Sequence, residues 1–224
     1  MGTLALVGGG EWRDGAEFDA ELLERSGGAE VVVLPTAAAY QHPEKAVEWA
    51  TRWFGGLGAT VVPLMVLRHE DALAAEPAET VATARFVYLS GGSPLHLRSV
   101  LKDSALFDAI VAAWRSGAIV AGSSAGAMAL CDPMVDPRGG AFTVGLGLVE
   151  QLAVVPHYEP GEGAHLLWRT LELAPRGVPV VAIPERTAVI REPDGTWRAA
   201  GASASAVTVY LDGAVASLGE IRER

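Results

Sequence analysis

The chain has 224 residues, 50% hydrophobic and 20% charged, a usage that excludes disordered, collagen-like and coiled-coil chains and fits one domain over 1–224. A formal net charge of −10 opposes nucleic acid and anionic membranes, and the single cysteine, Cys131, excludes an internal disulfide framework or a multi-cysteine metal site. No apolar run reaches the ~18 residues of a membrane span and no basic leader precedes the first strand, so the expectation is a soluble cytoplasmic protein with no cofactor, metal, nucleic-acid or membrane partner.

In chain order, β-branched runs at Thr3–Val7, Val31–Leu34, Thr60–Leu64, Phe86–Leu89 and Ile119–Val120 predict strands. Between them Phe18–Arg25, Pro43–Phe54 and Ala105–Trp114 carry apolar residues three and four apart and predict crossover helices. That rhythm is the signature of an α/β fold, a mostly parallel sheet with helices on both faces. Gly8-Gly9-Gly10 does not complete G-x-G-x-x-G, because Arg13 stands three positions after Gly10, so no dinucleotide site is expected. The turn-rich stretch from Asp132 to Gly140 interrupts the rhythm before a strand at Leu152–Val155. Strands at Val180–Ile183, Thr187–Arg191, Trp197–Ala200 and Ala206–Leu211 then predict a small antiparallel C-terminal edge closing the sheet.

Chemistry concentrates at Ile119-Val120-Ala121-Gly122-Ser123-Ser124-Ala125-Gly126-Ala127, where a buried strand runs into G-x-S-x-G with Ser124 at its centre. A nucleophilic serine on a strained strand-to-helix turn needs very small neighbours, and Gly122, Ala125 and Gly126 supply them. The backbone N–H of Ala125 is one oxyanion donor; Gly92, in the glycine pair Gly91-Gly92 that ends the preceding strand, is the candidate for the second. Ser93 and Pro94 then read as cap and first position of a helix. Of five histidines, His42, His69 and His96 precede Ser124 and His165 falls inside a helical pattern, which leaves His157, just after a strand, as general base. The orienting acid comes from Asp132, Asp136, Glu150, Glu159, Glu162 or Glu185; Glu185, directly after the strand Val180–Ile183, fits best, with Asp136 or Asp132 as the alternative acid.

Five ordered blocks, Leu6 to Gly10, Ser90-Gly91-Gly92, Gly122 to Ala127, Pro156-His157-Tyr158 and Ile183 to Ala188, make the chain resemble the peptidase E and cyanophycinase family of serine peptidases. The resemblance implies a class I glutamine amidotransferase-like fold, Ser124 as nucleophile, His157 as base, Gly92 and Ala125 as oxyanion donors, a peptide substrate and a homodimer. For the acid it implies either Glu185 or a residue soon after the elbow, Asp136 or Asp132. It also implies arginine just after the histidine to grip an aspartyl group; here Glu159 and Glu162 follow His157 and the first arginine is Arg169. Ser93, Glu159 and Arg169 are therefore the candidate substrate-binding residues of a serine exopeptidase or dipeptidase that is not strictly aspartate-specific. Three other functions compete: an amidotransferase, which would need a cysteine at the elbow whereas Cys131 lies in the helix behind it; an esterase or amidase; and a catalytically silent peptide- or small-molecule-binding protein on the same scaffold.

Overall fold

The computed structural model describes residues 1–160 and 164–221. It is an α/β protein whose main sheet has seven strands: β1 (Leu4–Val7), β2 (Glu30–Leu34), β3 (Thr60–Pro63), β4 (Phe86–Leu89) and β5 (Ile119–Ser123), followed much later in the chain by two more. Four two-residue strands intervene, β6 (Cys131–Asp132) with β9 (Val149–Glu150) and β7 (Met134–Val135) with β8 (Phe142–Thr143). The chain continues through β10 (Ala153–Val155), β11 (Val180–Ala182), β12 (Thr187–Arg191), β13 (Trp197–Gly201), β14 (Thr208–Leu211) and β15 (Ala214–Ala216). The main sheet has the order β13-β12-β1-β5-β4-β2-β3; the five early strands are parallel, and β12 and β13 are antiparallel at one edge.

Both faces of this sheet are covered, which is why its strands read as unbroken apolar runs rather than alternating ones. Leu4, Leu6, Leu34, Val87, Leu89 and Val120 point to one face and Ala5, Val7, Val31, Val33, Tyr88 and Ala121 to the other, the two-residue period of a strand. Helices α1 (Phe18–Ser26) and α2 (Pro43–Gly56) bury Phe18, Leu22, Ala50 and Phe54 on the second face. The first face takes α3 (His69–Leu73), α4 (Ala75–Ala82), α5 (Pro94–Leu101), α6 (Ala105–Arg115) and α7 (Ala125–Leu130), together with buried Cys131. Helix α8 (Ala164–Leu173) follows β10. Boundaries have local causes: Ser93 caps α5 by accepting from the His96 amide at 3.3 Å with Pro94 in the first turn, and Ser104 caps α6 through the Phe107 amide at 3.1 Å.

Two elements, β11 and β14, sit elsewhere than the sequence suggests. Only β12 and β13 form the closing edge; β11 and β14 pair with each other in a second, four-stranded sheet ordered β10-β11-β14-β15. Pro184, which has no N–H to give a ladder, breaks the run between β11 and β12, so these consecutive strands serve different sheets. Among the described residues no helix is long and apolar enough to cross a membrane.

Candidate active site

The carboxyl ends of the adjacent parallel strands β1, β5 and β4 lie side by side, and the loops after β10 and β11 bond to the residues that follow β1. Ser124 follows β5 with φ 48° and ψ −102°, a conformation non-glycine residues rarely adopt and the mark of a strained elbow. The tightness around it explains its small neighbours: a Cβ on Gly122 would lie 2.6 Å from the Gly126 carbonyl carbon, and one on Gly126 would lie 2.6 Å from the Leu89 oxygen. Ser124 Oγ stands 2.8 Å from His157 Nε2, and His157 Nδ1 stands 2.9 Å from Glu185 Oε1. About half of the His157 and Glu185 side-chain surface is open to solvent.

The three loops that carry these groups are stitched to successive carbonyls at the end of β1. The Ser124 amide donates to Val7 O at 2.9 Å, the His157 amide to Gly8 O at 2.7 Å, and the amide of Arg186, next to Glu185, to Gly9 O at 2.7 Å. His157 and Arg186 both hold φ near +54° to do so. The glycines matter as much as the carbonyls. At Gly9, with φ +112°, a Cβ would fall 2.3 Å from His157 Cε1, so the absence of a side chain makes the seat of the imidazole.

Of the oxyanion candidates, Ala125 follows the serine directly, and Gly92 follows Gly91, where a Cβ would lie 3.6 Å from Ser124 Cβ. Gly92 takes φ +140° and packs so closely on Ala37 that a Cβ would meet its carbonyl oxygen at 2.2 Å. Among the described residues neither the Gly92 nor the Ala125 amide has a protein acceptor. Ser93 is occupied as the α5 cap and gives its amide to Ala37 O at 2.8 Å. Glu159 is exposed and lines a recess of about 190 Å³ together with Tyr158, Glu185 and Arg186. Arg169 is exposed on α8 and Glu162 lies outside the described residues. A larger cavity of about 530 Å³, between α2 and Trp12-Arg13, contains none of Ser124, His157 and Glu185; chemistry, not size, marks the candidate site.

The other acids are engaged elsewhere. Asp136 is held by Arg138, with Nε to Oδ1 at 2.9 Å and Nη2 to Oδ2 at 2.6 Å, and this guanidinium keeps its carboxyl below the usual range. Asp132 Oδ1 accepts the Gly145 amide at 2.9 Å. One side chain that sequence reasoning passed over sits at the centre: Glu11 accepts the Gly91 amide at 2.9 Å through Oε1 and the Ser123 hydroxyl at 2.7 Å through Oε2. Its one sequence signal is its place after the first strand, on the rim that supplies the other groups.

Known proteins share this architecture. A peptidase from an acI-B1 Actinobacterium has a crystal structure that superposes with a TM-score of 0.81 at 30% identity, covering 100% of this chain and 93% of that one. Peptidase E of Citrobacter koseri is 35% identical over 147 residues, 62% of this chain and 62% of its own length. The cyanophycinase of Synechococcus elongatus is 24% identical over 212 residues, 89% of this chain and 66% of the relative. The match therefore spans less than two thirds of the length of either curated relative. The model of peptidase family S51 matches residues 4–197, nearly all of the fold that carries the Ser124, His157 and Glu185 cluster, and the chain belongs to that family.

Proposed function

We propose that the chain is a serine exopeptidase of short peptides in which Ser124, His157 and Glu185 act as a triad. The observation that carries this is the continuous path from Ser124 Oγ through the imidazole to Glu185 Oε1, with contacts of 2.8 and 2.9 Å at a positive-φ elbow. His157 Nε2 takes the hydroxyl proton as Oγ attacks the scissile carbonyl carbon, and Glu185 holds the imidazole with Nδ1 protonated and steadies the imidazolium. The oxyanion of the tetrahedral adduct accepts from the Gly92 and Ala125 amides. As the C–N bond breaks, His157 returns the proton to the departing amine, leaving an acyl-ester on Ser124. Water, deprotonated by His157, then attacks that ester and releases the acid.

On specificity, the recess beside Glu185 holds two carboxylates, Glu159 and Glu185, against one guanidinium, Arg186. A substrate carboxylate there would meet net negative charge, so neutral and basic residues suit it better than aspartate. A homodimer is part of the same proposal.

Two experiments test it. A serine-directed phosphonate should label Ser124 and lose reaction in Ser124→Ala and His157→Ala; a folded protein that does not label is a binding protein on a peptidase scaffold. Hydrolysis of Asp-X, Ala-X and Lys-X dipeptides should then rank Asp-X last, and a preference for Asp-X that disappears in Arg169→Ala overturns the specificity assignment.

A further inference from the structure

Four consecutive amides lie at the end of β4, and three of them are tied down. Ser90 donates to Leu34 O at 3.1 Å, Gly91 to Glu11 Oε1 at 2.9 Å and Ser93 to Ala37 O at 2.8 Å. Gly92 alone has no protein acceptor among the described residues. Gly91 also occupies the gap between the two groups that matter: a Cβ there would lie 3.1 Å from Glu11 Oε1 and 3.6 Å from Ser124 Cβ. The second oxygen of Glu11 reaches the last residue of β5, Ser123, immediately before the elbow.

We propose that Glu11 is the positioning residue of the oxyanion site: its carboxylate bridges the Gly91 amide and the Ser123 hydroxyl, and so fixes the loop that presents the free Gly92 N–H against the strand that presents Ser124. The proposal rests on Ser124 and Gly92 acting as described under the proposed function. A hydrogen bond to a carboxylate is short and strong, and two bonds from one planar group fix orientation as well as distance. A donor contributes to transition-state stabilisation only when it is already aimed at the developing oxyanion. Releasing Gly91 lets its peptide turn, and the next N–H, that of Gly92, turns with the same backbone. Glu11 is thus coupled to the chemical step and touches no reacting atom.

The test uses a fluorophosphonate probe, whose phosphoryl oxygen occupies the oxyanion position when Ser124 Oγ displaces fluoride. In Glu11→Ala, kinact should fall about 10- to 100-fold, short of the about 10²- to 10³-fold that loss of a whole donor brings, with KI within about twofold of the parent. Hydrogen exchange at Gly91 should accelerate in the same variant. Glu11→Gln should recover most of the rate, since its amide oxygen accepts from Gly91 while its NH₂ donates to a turned Ser123 hydroxyl. Glu11→Asp, one methylene too short to span both donors, should behave as Glu11→Ala and carries the test if the alanine variant does not fold. Unchanged kinact in Glu11→Ala or Glu11→Asp overturns the proposal, as does a loss wholly accounted for by the unfolded fraction. If the parent itself fails to label at Ser124, the nucleophile assignment falls; Gly91 exchange still decides the bridge, acceleration on removal of Glu11 supporting it and unchanged protection overturning it.

Discussion

At the scale of single residues, the question is which carboxylate serves the imidazole. Glu185 bonds His157 Nδ1, whereas Asp136 is neutralised by Arg138 and Asp132 holds the Gly145 amide. Removing an orienting carboxylate while keeping its shape favours the wrong histidine tautomer and costs turnover on the order of 10⁴. Glu185→Gln should lose peptide hydrolysis by about that factor with the fold unchanged by circular dichroism, and Asp136→Asn should keep it. The reverse outcome would move the acid to the turn between β7 and β8.

At the scale of elements, the end of β1 organises the site, because carbonyls 7 to 9 take the amides of all three loops. Gly9→Ala places a methyl group where His157 Cε1 lies and asks alanine to hold φ +112°. The imidazole must shift, so turnover should fall at least tenfold, a misplacement effect, while the melting temperature drops by only a few degrees; turnover equal to the parent would mean that the imidazole finds another route to Ser124. The strands that build this frame were legible in the sequence because burial on both faces leaves β-branched and aromatic runs such as Phe86–Leu89 and Thr187–Arg191. Ser124, His157 and Glu185 were legible for a related reason, each following such a run. Helix α4 was not: it is short, carries Pro77 in its first turn, and mixes Glu76 and Glu79 into a weak apolar pattern. Nor was the pairing of β14 with β11, a choice among distant strands that local pattern does not encode. Glu11 has no periodic context at all; only contact with Gly91 and Ser123 gives it meaning.

At the scale of the whole molecule, one buried acid should leave a signature on stability. Asp19 on α1 is fully buried; its Oδ2 accepts from Trp53 Nε1 at 3.0 Å, and its Oδ1 has no partner among the described residues. Burial pushes its carboxyl well above the ordinary range; the Trp53 hydrogen bond opposes this and the nearby Glu11 charge adds to it. The sign follows from linkage: as pH rises past the unfolded value of about 3.9, the unfolded chain loses this proton while the folded chain keeps it. Stability therefore declines with pH from there up through the folded value and levels off beyond it. Asp19→Asn should remove that decline, seen as a flatter curve of unfolding free energy from denaturant titrations at and above about pH 4, whereas identical curves for the two proteins would mean that Asp19 ionises in the fold at no cost. Because wild type and variant share every other carboxylate, the difference reports Asp19 together with its coupling to Glu11.

The stitching of Ser124, His157 and Arg186 to three neighbouring carbonyls also sets a timetable. The accepting residues leave the ribosome early and the last donor late, and pairings between such distant segments form slowly. A nascent or partly folded chain thus has the serine without His157 and Glu185 seated beside it, and under the proposed function hydrolytic power would arise only once all three pairings have formed.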